Sequence, residues 1–120
     1  MLNRLFGLFA APPQGDNVHV VAAAEIKRWV EAGEVVLIDV REPAEHAAEA
    51  IPGAMNLPLS SFDPAKLPDV PAGKKLVLHC RSGQRCGMAA SRLVASGYTG
   101  VINRLEGGMM GWRSVGGAVR

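Results

Sequence analysis

The segment CRSGQRC, residues 80–86, follows directly on the apolar run Leu76-Val77-Leu78. A thiol at the end of an apolar strand, with a short glycine-containing loop and then a helix after it, meets three sources of positive potential. The first backbone N–H groups of a helix have no intrahelical partner, and the helix dipole adds partial positive charge there. Successive amides in a tight turn converge into a concave anion nest, and Gly83 can supply the positive φ such a turn needs. Arg81 and Arg85 add full charges. Together these should lower the pKa of Cys80 until it is ionised near neutrality, and the thiolate is the nucleophilic form. The same donors, with the Ser82 hydroxyl and the loop residue Gln84, would hold an oxyanion or a charged group carried on the sulfur.

Two thiol chemistries use a loop of this kind, sulfur transfer and phosphate-ester hydrolysis. The cysteine-phosphatase signature spaces its residues C-x5-R, whereas Cys80 and Arg85 stand at C-x4-R. The shorter loop favours one attached sulfur over a tetrahedral phosphoryl group. Sulfur transfer also needs no strong general acid, and no dedicated acid stands beside the loop in the sequence. A phosphatase or an arsenate-type reductase is therefore the disfavoured alternative.

The second thiol, Cys86, falls in the first turn of the expected helix. The expectation is a small buried spacer filling a serine-like position. The alternative is a resolving thiol that attacks an oxidised or persulfidated Cys80. The direction of its side chain decides between them. Asp39 and Arg41, in the segment DVRE at 39–42, are expected to brace the loop as an ion-pair network rather than to act in catalysis.

These residues need a frame that brings them together. The run VVLIDV (35–40) reads as a buried strand, KLVLHC (75–80) as a second and GVINRL (100–105) as a third, with a short strand near Ala54–Asn56. VVAAAEIKRWVEAG (20–33) reads as a helix with Ala22, Ile26, Trp29 and Val30 on one face, stopped by Gly33. Pro43 starts a short helix. RCGMAASRLVASG (85–97) reads as a helix that turns Met88, Leu93 and Val94 to the core, and a last short helix runs through Met110–Trp112. Trp29 and Trp112 are expected core anchors, and Gly107-Gly108 should let the backbone pass close to the active edge. The Pro-rich middle, 52–71, should be mostly loop, with a turn of helix after Ser60. Alternating strands and helices imply an α/β fold, a mostly parallel sheet with helices on both faces. Ligands then bind beyond the carboxyl ends of the strands, where DVRE and CRSGQR should both open.

Composition sets outer limits. A chain of 120 residues with 48% hydrophobic and 20% charged residues is globular material sufficient for one core. A net charge of +2 gives no reason to expect nucleic acid. Two cysteines and three histidines, scattered, make no zinc spacing and no disulfide scaffold. Reduced thiols point to a reducing, cytoplasmic compartment. Residues 1–16 read as a flexible arm, and residues 17–120 as the folded domain. The apolar run Leu5 to Ala11 is too short to span a bilayer, and export or membrane contact is the minority reading.

Four segments carry a family resemblance: VVLIDVREPAE (35–45), IPGAMNLPL (51–59), LVLHCRSGQR (76–85) and LEGGMMGW (105–112). In this order they resemble the motifs of single-domain rhodaneses, sulfurtransferases of the thiosulfate:cyanide type, over residues 18 to about 117. The resemblance implies a rhodanese-like three-layer fold. It implies that Cys80 takes a sulfane sulfur from a small anionic donor such as thiosulfate, becomes a persulfide, and passes the sulfur to a thiol or to cyanide. Residues 81–86 would then bind the substrate. No metal or organic cofactor is implied, and a protein carrying a persulfide could serve as partner. A persulfide carrier or docking module is the alternative to an enzyme. The chain departs from the family pattern at Glu49-Ala50, where Gly-His is usual, and at His46, where an aromatic is usual; His46 is expected to be a partly exposed surface residue. At Cys86, Ser or Thr is usual.

Overall fold

Three short runs rich in β-branched and leucine residues form the middle of a sheet: β2 (Val35–Asp39), β4 (Lys75–His79) and β5 (Ile102–Leu105). Two edge strands, β1 (Val18–Val21) and the two-residue β3 (Met55–Asn56), complete it. The computed structural model describes residues 16–120, so all of the arm except Asp16 lies outside the described residues. The order across the sheet is β1-β5-β4-β2-β3, and every pairing is parallel. All strands therefore end at one edge. Asp39 and His79, the last residues of β2 and β4, stand opposite each other there, so the DVRE turn and the cysteine loop leave the sheet side by side, as expected.

The strands alternate faces with a period of two. Ile38, Leu76, Leu78 and Ile102 pack against Cys86, Ala89, Ala90 and Leu93 of helix α3 (Gln84–Ala95). Leu37, Val77 and Leu105 pack on the other face against Ala23 and Ile26 of α1 (Ala23–Glu31) and Met109 and Trp112 of α4 (Gly108–Ser114). Each fully buried Ile or Leu here contributes about 1.5–3 kcal/mol. A short helix α2 (Pro43–Ala48) follows β2, and two 3-10 turns, Leu59–Ser61 and Pro64–Lys66, lie in the Pro-rich segment. Among the described residues, no helix is long and apolar enough to cross a membrane.

The structure corrects the sequence reading at four points. Val20 and Val21 belong to β1 rather than to a helix, and Ala22 is the exposed N-cap of α1. The alanines after β1 carry high helix propensity and blur the boundary. Met88 is 53% exposed: the buried stripe of α3 is Cys86, Ala89, Ala90 and Leu93, spaced at helical period, and Met88 lies off it. Small alanines in that stripe let the helix sit close to the sheet. Trp112 is a core anchor, but Trp29 is only half-buried; its Nε1 donates to Glu25 at 3.0 Å, and the Lys75 ammonium lies 5.1 Å from its ring centre.

The Gly107-Gly108 step brings α4 against the cysteine loop. Met109 N donates to Cys80 O at 2.8 Å and Met110 N to Arg81 O at 3.3 Å. A Cβ on Gly108 would stand 2.3 Å from Cys80 O, at a φ of +55°. Gly108→Ala should therefore lower unfolding free energy by roughly 3 kcal/mol or more, strain plus clash. Gly33→Ala, at φ +72° with open space around it, should cost only about 1 kcal/mol. Denaturant unfolding of the two variants measures both.

Candidate active site

Cys80 is the first residue beyond β4 and is 1% exposed. Its chain then turns through Gly83, the left-handed N-cap of α3 at φ 114°, so that the following amides fold back over the sulfur. Gly83 N donates to Cys80 Sγ at 3.1 Å. The Cys86 thiol also bonds this sulfur, as do the amides of Cys86, Gly83 and Ser82; against the opposing effect of burial they hold the Cys80 pKa down at about 5. The pull on the thiolate thus comes from a neighbouring thiol and a cup of amides.

The two loop arginines differ in their partners, and the Arg85 charge also feels that of Cys80. Arg85 reaches across to α2, where its guanidinium donates to both carboxylate oxygens of Glu45 at 2.6 and 3.0 Å. That pair holds Glu45 down at about 2 and raises Arg85. Arg81 and Ser82 are exposed on the loop, and Gln84 opens α3, also exposed. Arg104, which sequence reasoning did not single out, comes from β5: its guanidinium donates to Gly83 O at 2.9 Å and lies against Gly87. Nothing local in the motif INRL marks it, because its role depends on β5 running alongside α3.

Cys86 lies in the first turn of α3, against the loop. It is fully buried, as a serine-like spacer would be, yet its thiol is turned to the loop, 3.1 Å from Gly83 O and within hydrogen-bonding reach of Cys80. Its own pKa is raised by the bond to Cys80, by burial and by the Cys80 charge, with Arg104 pulling the other way. Both cysteines are free thiols. A cavity of about 230 Å³ lies beside the loop, lined by Ser82, Gly83, Gln84, Cys86, Arg104 and Gly107 among others. A larger one, about 510 Å³, lies at the opposite edge of the sheet around Trp29, Lys75 and Tyr98, away from both thiols.

Behind the loop, Asp39 and Arg41 pair with each other. Arg41 donates from Nε and an Nη atom to the Asp39 carboxylate at 2.8–3.2 Å, with its backbone N at 2.9 Å. Burial opposes the Asp39 charge most strongly, but the Arg41 bonds, the neighbouring His79 and the His46 contact together outweigh it, and the carboxyl sits below its ordinary value. His46 is no simple surface residue: its Nδ1 lies 2.8 Å from Asp39 Oδ2. Asn56 donates to Asp39 O and Arg41 O at 2.9 and 2.8 Å and locks the turn. His79 is fully buried beside this network, and burial lowers its pKa to about 4, so it is neutral at pH 7. Glu45 serves twice: it accepts from Glu42 N at 3.0 Å at the start of α2, and it holds Arg85. Among the described residues no cluster of His, Cys, Asp or Glu could hold a metal ion.

A family model for the Rhodanese-like domain matches residues 22–115. An uncharacterised protein of Synechocystis is 40% identical over 96 residues, which cover 80% of this chain and 52% of that protein; the chain spans about half the length of this relative. A thiosulfate:glutathione sulfurtransferase of Saccharomyces cerevisiae is 32% identical over 115 residues, covering 84% of this chain and 82% of that one. Among solved structures, a rhodanese-related protein from Thermoplasma volcanium matches at a TM-score of 0.69 and 26% identity, covering 85% of this chain and 97% of that chain.

The geometry sets two measurable outcomes. Titration of ultraviolet thiolate absorbance should show one thiol ionising near pH 5, and Cys86→Ala, which removes the side-chain donor, should move that transition upward. Asp39→Asn leaves Arg41 buried without its counter-charge and should cost about 3–5 kcal/mol in unfolding free energy.

Proposed function

This chain belongs to the rhodanese-like domain family, a family with sulfurtransferase members, and from that premise we propose that it moves sulfane sulfur through a Cys80 persulfide. The observation that carries the reading is the Cys80 sulfur itself, buried, bonded by the amides of Ser82, Gly83 and Cys86, and lowered to a pKa of about 5. A thiolate kept ionised at neutral pH, inside a cup of amide donors, suits attack on a sulfane sulfur.

In this reaction Cys80 attacks the outer sulfur of thiosulfate. A new S–S bond forms as the S–S bond of the donor breaks, and sulfite leaves with the electron pair. No proton is needed, which agrees with a loop that carries no acid. The outer sulfur of the persulfide then takes the place of the thiolate among the amides, where its charge is stabilised. A nucleophilic acceptor removes it: cyanide gives thiocyanate, and a thiolate gives a new persulfide, with Cys80 returned as thiolate. Arg81 and the exposed loop residues Ser82 and Gln84 meet the incoming donor. Arg85 is spent mainly on Glu45, so its part is to hold the loop against α2. The two free thiols suit a reducing, cytoplasmic setting.

Wild-type protein treated with thiosulfate should gain one sulfur by intact mass, and Cys80→Ser should gain none. Cyanide should then remove the sulfur as thiocyanate. The lowered pKa means Cys80 is ionised above about 5, so the rate of sulfur uptake should be level at neutral pH and fall as pH drops through about 5. A wild-type protein that never gains sulfur at Cys80 sinks the reading. Cys80-dependent hydrolysis of an aryl phosphate would revive the phosphatase.

A further inference from the structure

Cys86 exceeds what a donor to Cys80 requires. A hydroxyl at this position would supply the same hydrogen bond to a thiolate, but only a thiol adds a nucleophile that can make a disulfide. The two sulfurs share the Gly83 peptide: its N–H donates to Cys80 Sγ at 3.1 Å, and its carbonyl accepts from Cys86 Sγ at 3.1 Å. The amide and thiol of Cys86 both reach Cys80 Sγ. Arg104 bonds the same Gly83 carbonyl at 2.9 Å and places a cation beside Cys86. The cavity of about 230 Å³ touches Cys86, Gly83 and Arg104, so space and positive charge adjoin this thiol.

We propose that Cys86 is a resolving thiol that, when no external acceptor arrives, attacks Sγ of the Cys80 persulfide and expels the outer sulfur as hydrosulfide. The inference rests on the Cys80 persulfide proposed above. The step balances without an outside oxidant. The Sγ–Sγ bond forms as the bond from Cys80 Sγ to the outer sulfur breaks. The electron pair and the Cys86 proton leave with that sulfur, so Cys80–S–S⁻ and Cys86–SH become the disulfide and HS⁻. The sulfane sulfur is reduced and the two cysteine sulfurs are oxidised. Two equivalents of a low-molecular-weight thiol then reduce the disulfide and become a disulfide themselves. The protein would thus release hydrosulfide at the expense of thiols, besides passing sulfur to an acceptor.

Charge supports the timing. In the resting site the Cys80 thiolate and burial keep Cys86 protonated, while Arg104 opposes them. Loading a sulfur moves the negative charge one bond outward, which weakens the hold on the Cys86 proton and leaves Arg104 in place.

The test uses the whole chain loaded with thiosulfate, freed of excess donor and held without acceptor. Intact mass and free sulfide are followed in the wild type, in Cys86→Ser and in Arg104→Gln, with thermal unfolding checked for each. Trypsin cleaves after Arg81 and Arg85 and leaves Cys80 and Cys86 on separate peptides, so a disulfide appears as a joined pair. The wild type should release one hydrosulfide for each sulfur loaded and yield the joined pair. Cys86→Ser should keep its persulfide on the order of tenfold longer or more and yield none, and Arg104→Gln should slow the release. A wild-type persulfide that lasts as long as that of Cys86→Ser, with the peptides separate, overturns this inference and leaves sulfur transfer standing. No sulfur on wild-type Cys80 overturns both.

Discussion

A negative charge kept almost wholly out of water must be solvated by the protein. Cys80 is 1% exposed, so each hydrogen bond that water would have made to its thiolate has to come from the chain. Burial alone drives a thiol toward its neutral form. The amides of residues 82, 83 and 86 and the Cys86 thiol overcome that, and they do so only while the loop holds one shape. Loop shape is the constraint from which the surrounding contacts follow.

Those contacts grip the loop from several elements. Arg85 ties it to Glu45 on α2, Arg104 of β5 holds the Gly83 carbonyl, and the first amides of α4 take the carbonyls of Cys80 and Arg81. α2 is itself fixed by the turn that Asp39, Arg41 and Asn56 lock. A buried pair such as Asp39–Arg41 is weak evidence for net stability, since two charges lose their water. Its value here is positional: it sets where α2 starts and so where Glu45 meets Arg85. Pre-organised donors cost no rearrangement when charge moves onto them.

Much of this was legible in the residues. The β-branched runs marked β2, β4 and β5, Pro43 marked α2, and Gly83 and Gly107-Gly108 marked the turn and the close approach. These features are local, and a local pattern carries them. What the sequence hid depends on partners far along the chain. β1 is four residues beside an alanine run, and only its pairing with β5 makes it a strand. Met88 has the composition of a core residue, but the direction of α3 turns it outward. The loop arginines read as charge for the thiol; Arg85 has a carboxylate partner forty residues earlier in the chain. Arg104 and His46 have no motif of their own, and each gains its place from the packing of a neighbouring strand or helix.

The crossing of the chain over the sheet carries a consequence for the order of folding. Among the described residues β1 is the first strand made, yet its partner there is β5, and the α4 amides that cap the cysteine loop come later still. Contacts of such long sequence separation form late, because loop closure must precede them. On a growing or partly folded chain the cup is open, and Cys80 is an ordinary thiol with an ordinary pKa, mostly protonated at neutral pH. The lowered pKa is therefore a property of the finished molecule: the thiolate is held only once strands and helices from both ends of the domain have closed around the loop.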